Sequence, residues 1–241
     1  MACQAKSVQF GIIKTATRED LQKMRVKTDQ KRQEIMAVAR QVFREKGYAE
    51  TSMAEIAARL GGSKSTPYGY FPSKEELFVA VMLDIASRNA DAVLDELEQV
   101  ADMRTGLAPV VEKIMHNLCS AEMIDFRRML IGEVGRSDLG KRVHERGPAL
   151  YTKRVAEMFA VQMREGRLRQ ADPWQAALHM LSLCMGAPVQ WVLEGAIERP
   201  SDQEIATAGA AAADVFLRAY AVQPSIADKP RRAARRKRRP S

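Results

Sequence analysis

The sequence predicts an all-α protein. Apolar residues recur at the i, i+3, i+4 spacing of a helix along most of the chain, aromatic residues are few, and glycine and proline are sparse, 14 and 10 in 241 residues. A hydrophobic content of 46% supports a sizeable core, and the length allows one large domain or two small ones. No apolar run approaches the roughly 20 residues that a membrane span needs. The opening stretch, MACQAKSVQFGIIK, is too short in apolar residues for a secretory signal, so no membrane partner and a cytoplasmic location are expected.

Residues 1–30 form a basic arm with scattered apolar positions, with helix expected at most from Arg18 to Val26. Such an arm can enter a minor groove, with Lys23, Arg25 and Lys27 as candidates; the plainer reading is a terminus without a DNA role. From Asp29 the pattern tightens: Ile35, Val38, Ala39, Val42 and Phe43 share one face of a first helix that ends at Gly47. The next stretch, TSMAEIAARLGGSKSTPYGYFPSKEEL from Thr51 to Leu77, reads as a helix-turn-helix with a supporting helix. Ser52 and Glu55 have capping-box spacing, Ile56, Ala57 and Leu60 share a face, and Gly61-Gly62 ends the helix. Two starts are open for the helix that follows. Ser63 can cap a helix carrying Lys64, Ser65, Thr66, Tyr68 and Tyr70, residue types that reach base edges and phosphates in a major groove. Alternatively Pro67, which lacks an N–H and crowds the Ser63 carbonyl, delays the start until Thr66 caps it and leaves Tyr68 and Tyr70 as the main readers. Phe71 plugs the unit into the core, Pro72 breaks it, and Ser73 with Glu76 repeats the capping spacing. Lys74 then sits in the first turn of the next helix, where a cation opposes the helix dipole; that placement suggests a phosphate from outside the chain. An ordinary surface lysine is the plainer alternative.

These residues resemble the N-terminal domain of the TetR family of bacterial transcriptional regulators. The resemblance runs from about Arg32 to Val81 and rests on Gly47-Tyr48, Thr51, Ile56-Ala57, Gly61 to Ser63, Thr66 to Tyr68, Tyr70-Phe71, Ser73 to Glu75 and Leu77. Gly62, Pro67 and Gly69 depart from the family pattern. The resemblance implies a three-helix DNA-binding domain over residues 31–76, with contacts from Thr51, Ser52, Ser63, Lys64, Ser65, Thr66, Tyr68, Gly69, Tyr70 and Lys74. It also implies a larger helical domain over residues 77–226 for effector binding and dimerisation. That second part resembles the AefR-like subgroup.

After Ser73, Leu77, Phe78, Val81, Met82, Ile85, Val93, Leu97 and Val100 predict a helix of about 30 residues that joins the domains and acts as a lever or a stiff spacer. Beyond Gly106 two amphipathic segments follow, then a break from Gly132 to Gly140. Pro148 opens a helix that closes at Gly166, and Asp172-Pro173 starts one expected to run to Trp191, apolar on most sides and kinked at Pro188. Ser201 and Glu204 cap a final helix with four successive alanines from Ala210 to Ala213. These last two helices are the dimerisation candidates. An effector pocket is expected around Met115, His116, Cys119, Met129, Phe159, Met180, Cys184 and Trp191, with His179 as a further polar group, because methionine and aromatic side chains adapt to varied apolar ligands. A close-packed core of the same residues is the bland alternative.

Charge is distributed unevenly. Residues 1–76 hold 14 basic and 9 acidic side chains, residues 77–228 hold 16 and 21, and the tail over residues 227–241, rich in Lys and Arg from Lys229 onward, cannot build a core. A basic DNA-facing third beside an acidic body fits double-stranded DNA as partner. Cys3, Cys119 and Cys184 lack paired spacing, and neither His116 with Cys119 nor His179 with Cys184 completes a metal set; no metal and no cofactor are expected. An enzyme is disfavoured by the lack of a nucleophile motif or phosphate loop. The expectation is therefore a cytoplasmic, nucleoid-associated homodimeric repressor on a palindromic operator, released by a small apolar or amphipathic effector. The rivals are an activating or ligand-independent regulator and a sequence-indifferent architectural protein.

Overall fold

The computed structural model describes residues 18–63 and 65–222, which form ten α-helices and one short 3-10 turn. The expectations for residues 1–17, for Lys64 and for the basic tail lie outside the described residues.

The first helix, α1 (Arg18–Glu50), runs without a break from the arm into the segment predicted from Asp29. Its last turn is set off at Gly47, whose φ of 78° and ψ of 172° are closed to a residue with a β-carbon. Helix α2 (Met53–Leu60) starts on Ser52, whose hydroxyl accepts the Glu55 N–H at 3.2 Å, and ends on left-handed Gly61. The Glu55 carboxylate does not close the box; it pairs instead with Lys46 at 2.7 Å and Arg59 at 3.2 Å. Helix α3 (Lys74–Gln99) likewise starts on Ser73 accepting from the Glu76 N–H, while Glu76 reaches across to Arg142 and Arg146 at 3.0 and 2.8 Å.

The larger part comprises α4 (Met103–Leu118), α5 (Ala121–Gly132), α6 (Leu139–Arg146), α7 (Pro148–Arg164), α8 (Pro173–Cys184), α9 (Ala187–Glu194) and α10 (Asp202–Tyr220). Three features differ from expectation. Helix α4 begins before Gly106, capped by Asp102, and tolerates Pro109 inside it. The short helix α6 starts within the last two residues of the predicted break and runs on past it, burying only Leu139 and Val143. The helix predicted from Trp174 to Trp191 is two helices, α8 and α9, bent by 56° at Met185-Gly186. Pro188 lies in the first turn of α9, where its missing N–H costs no internal bond, so the chain breaks before the proline rather than kinking at it. Nor is the pair buried all round: Trp174, Leu178 and Trp191 are exposed.

Two cores organise the molecule. One gathers Val93, Leu94 and Leu97 of α3 with Met115 of α4, Phe159 of α7, Met180 of α8 and Phe216 of α10. Helix α10 begins with a complete capping box between Ser201 and Glu204 and lies against α4. At Gly209 the approach is so close that a β-carbon would stand 3.2 Å from the Glu112 backbone. The other core holds Ile35, Phe43, Ile56, Phe71 and Phe78 of the N-terminal helices, but it does not stop at residue 76. Met123 and Phe126 of α5 and Leu139 and Val143 of α6 belong to it.

The Glu76 cluster is the polar seal of that shared core. Hydrogen bonds from Arg146 and Arg142 hold its carboxyl below the usual carboxylate range. A depressed folded-state pKa contributes stability that is present above the unfolded value of 4.5 and is lost as pH falls through the folded value. Glu76→Gln is therefore expected to lower the melting temperature by about 2 °C at neutral pH, the size of one partly exposed pair in a protein of this length. Melts repeated at successively lower pH should show the difference shrink and vanish once the carboxyl is protonated in the folded state.

Candidate nucleic-acid interface

The predicted second helix of the motif is a compressed unit. Ser63 accepts the Ser65 N–H through its hydroxyl at 3.3 Å and the Thr66 N–H through its carbonyl at 2.9 Å. The 3-10 turn Pro67–Gly69 then begins, with Thr66 at the cap and Pro67 at the first position. The late start is the one Pro67 dictates: a regular helix from Ser63 would need the N–H that proline lacks. Thr66 supplies no side-chain cap, and the turn is fastened instead from its far end by the Tyr70 and Phe71 N–H groups donating to the Pro67 carbonyl at 3.1 and 2.9 Å. Pro67 and Phe71 are buried, and the Arg32 guanidinium lies 4.9 Å above the Phe71 ring.

Anchored from below, the unit presents Ser63, Ser65, Tyr68 and Gly69 outward, with Tyr68 exposed over 53% of its surface. Ser52 is also exposed, Thr66 is half-buried, and Tyr70 is half-buried against the N-terminal core. Two predicted contacts have other work within the fold. Thr51 is buried, and its hydroxyl donates to the Gly47 carbonyl at 2.6 Å, closing the set-off last turn of α1. Lys74 turns its ammonium toward the end of α1, 2.8 Å from the Tyr48 carbonyl, 3.4 Å from that of Ala49 and 4.3 Å from the centre of the Tyr48 ring. The cation at the start of α3 thus satisfies carbonyls at the end of α1, a partner that sequence spacing could not show. Tyr48 completes the joint by donating its hydroxyl to Glu75 at 3.0 Å; burial raises the phenol pKa, and the Glu75 carboxyl is held low chiefly by its own backbone N–H and the Ser73 hydroxyl.

The N-terminal helices are tied to the rest of the molecule by more than α3. Arg40 of α1 donates to Asp84 of α3 at 2.5 Å and has its Nε 3.2 Å from Glu122 of α5, an ion pair without hydrogen-bond alignment. Arg44 reaches Asp125 at 3.0 Å, and Arg88 of α3 joins Asp84 at 3.0 Å. Helix α5 therefore contacts the N-terminal unit directly, by charge and through Phe126.

The predicted effector residues do not converge on one cavity. Met115, Cys119, Phe159, Met180 and Cys184 lie together in the C-terminal core, but as packed, buried side chains, with Phe159 stacked on Phe216 at 5.1 Å. Burial pushes the Cys184 thiol up to about 12 and raises that of Cys119. Met129 packs against the other core, because its side of α5 faces the N-terminal helices. Trp191 is 48% exposed, since the 56° bend turns its side of α9 outward. His179 is exposed and shares a hydrogen bond with the Tyr220 hydroxyl at 2.6 Å. A cleft of about 520 Å³ lies instead between α3 and α4, lined by Arg88, Glu96, Lys113, His116 and Ser120. His116 is the predicted pocket residue that borders it, 3.7 Å from Glu112.

Comparison with known proteins agrees with this geometry in both parts of the chain. Residues 35–81 match the profile described as bacterial regulatory proteins of the tetR family, and residues 105–222 match the C-terminal domain of AefR-like transcriptional repressors. An uncharacterised HTH-type transcriptional regulator of Mycobacterium bovis is 30% identical over 177 residues, which cover 68% of this chain and 81% of that protein. The HTH-type transcriptional activator FasR of Mycolicibacterium smegmatis is 35% identical over 88 residues, and the match spans 36% of this chain and only 40% of that protein. Among solved structures, a TetR-family transcriptional regulator from Mesorhizobium loti superposes with a TM-score of 0.73 at 31% identity, covering 81% of this chain and 98% of that one.

Proposed function

This chain belongs to the TetR family of bacterial DNA-binding transcriptional regulators, a non-enzymatic family, and we propose that it is a homodimeric repressor released from an inverted-repeat operator by a small effector. The observation that carries the DNA contact is the 3-10 unit: buried at Pro67 and Phe71, it holds Ser65, Tyr68 and Gly69 at a rigid, exposed edge. Tyr68 is its main reader, with Ser63, Ser65 and Thr66 beside it and Ser52 toward the phosphates. Tyr70 contributes its exposed side. Lys74 takes a phosphate with the N–H direction that its two carbonyl partners leave over.

The dimer uses α8 and α10. Trp174 and Leu178 on one and Ala210, Ala211 and Val215 on the other are exposed in the protomer, and small side chains allow two such faces to approach closely. The word repressor rests on the AefR-like C-terminal match. Release requires an effector that binds the DNA-incompetent state better, since equal affinity for both states shifts nothing. The C-terminal core around Met115, Phe159 and Met180 receives its apolar part, by repacking of the methionines. Any resulting shift of α5 is passed to α1 through Glu122, Asp125 and Phe126. The activating reading has support of its own in the similarity to FasR, and transcription measured with and without the protein separates the two.

Gel-shift titration of Lys74→Ala tests the DNA contact. Affinity for operator and for random DNA should fall alike, by about tenfold, with the log-log salt slope reduced by about 0.9, because a phosphate contact carries no sequence information. Altered specificity with an intact salt slope in Lys74→Ala would remove Lys74 from the phosphates and leave it as the clasp on α1 alone.

A further inference from the structure

Two adjacent arginines on α5 are treated differently by the fold. Arg128 donates its Nε to the Leu193 carbonyl at 3.1 Å and its Nη2 to the Val192 carbonyl, closing the last turn of α9. Arg127 is mostly buried, and its Nη1 is closed off without a hydrogen-bond partner. Among the described residues its guanidinium has neither an ion pair nor a hydrogen bond. The ionisable group beside it is the Cys119 thiol at the end of α4, and burial pushes that thiol up, so it brings no negative charge at neutral pH. Burial also pulls the arginine's own pKa down. A partly buried cation whose Nη1 is shut away from water without a counter-charge is costly, and an anion from outside the chain would offset that cost.

We infer that Arg127 is the anchor for the carboxylate of an amphipathic effector, whose apolar part packs into the C-terminal core that contains Cys119. The inference rests on the reading that this domain receives an effector. The planar guanidinium fork matches a carboxylate with two parallel hydrogen bonds, and one cation balances one carboxylate, whereas a phosphate dianion would need a second cation. The α3–α4 cleft offers no comparable demand for an anion. Its cations are already matched, Arg88 to Asp84 at 3.0 Å and Lys113 to Glu96 at 2.5 Å. The core that contains Cys119 also holds Met115, Met163 and Met180, unbranched side chains that can rearrange around an aliphatic or aromatic tail.

The test uses the full chain and two matched sets of probes: hexanoate, decanoate and dodecanoate, and the corresponding alcohols. Calorimetric titration should show the carboxylates binding at least about tenfold more tightly than the alcohols, the worth of a charge-assisted pair. Arg127→Met should abolish that preference while leaving the alcohols within a few-fold. Its melting temperature without ligand should hold or rise, because an unpaired buried cation has been replaced by an apolar side chain of similar length. Arg127→Gln serves the same comparison if the methionine variant aggregates. A carboxylate preference retained without Arg127, no binding of any carboxylate, or a marked fall in melting temperature on losing the charge would each overturn the assignment. Operator release separates this from the wider reading. If both probe sets bind equally and free the DNA, the effector reading stands and the anchor is lost; if carboxylates bind through Arg127 and the DNA stays bound, the anchor stands and induction is lost.

Discussion

Phe78→Ala is expected to destabilise the protein by about 3–5 kcal/mol and to lower its melting temperature by roughly 10 °C. Phe78 is fully buried at the point where three helices meet. Its ring lies 5.2 Å from Phe43 and 5.0 Å from Tyr48 on α1, both edge to face, and 5.3 Å from Phe126 on α5. Truncation would leave a cavity that the surrounding rings cannot collapse into, and it would also unfasten the DNA-binding unit from α5. Operator affinity should therefore fall even at a temperature where the variant is still fully folded. Phe78→Leu, which keeps most of the volume, should recover most of the stability. Thermal melts with gel shifts at low temperature check both parts; a loss of only a degree or two would mean that the aromatic cluster is not the joint described.

Leu178→Asp combined with Val215→Asp is expected to produce a folded monomer whose operator affinity is lower by more than about a hundredfold. Both side chains are exposed in the protomer, at 37% and 51%, so the carboxylates leave the fold itself unstrained. In a symmetric dimer each substitution occurs twice and sets like charges against an apolar partner face. A monomer holds one half-site and loses the effective concentration that links two. Sedimentation equilibrium with and without operator checks this. A dimer that persists unchanged would move the interface away from α8 and α10.

Local chemistry made the DNA-binding unit legible in the sequence. Ser52, Gly61, Ser73 and Ser201 mark helix ends by rules that need no tertiary context, and Pro67 alone forced the late, compressed turn before Tyr68. What escaped depends on contacts distant in sequence. Glu55 and Glu76 look like the second halves of capping boxes, but distant cations, Lys46 for one and Arg142 and Arg146 for the other, claim their carboxylates. Helix α6 has only two buried apolar residues among LGKRVHER, too few to set a period. Met129 and Trp191 are apolar residues on helices, and sequence alone could not say that one faces the N-terminal core and the other solvent. Arg127 and Arg128 are indistinguishable as letters; only packing leaves the first without a partner. Methionine and aromatic content suggested a cavity, whereas in the C-terminal core the same residues fill the space.

Nuclease footprinting on the DNA that flanks the protein's own gene, with excess random DNA as competitor, tests the central claim most directly. A homodimeric regulator reading DNA through Tyr68 and its neighbours should protect one inverted repeat whose half-sites lie about one helical turn apart, or a multiple of it. Tyr68→Ala should weaken that protection. Binding that random DNA abolishes entirely, with no protected repeat, would contradict the account and leave a sequence-indifferent DNA-binding protein in its place.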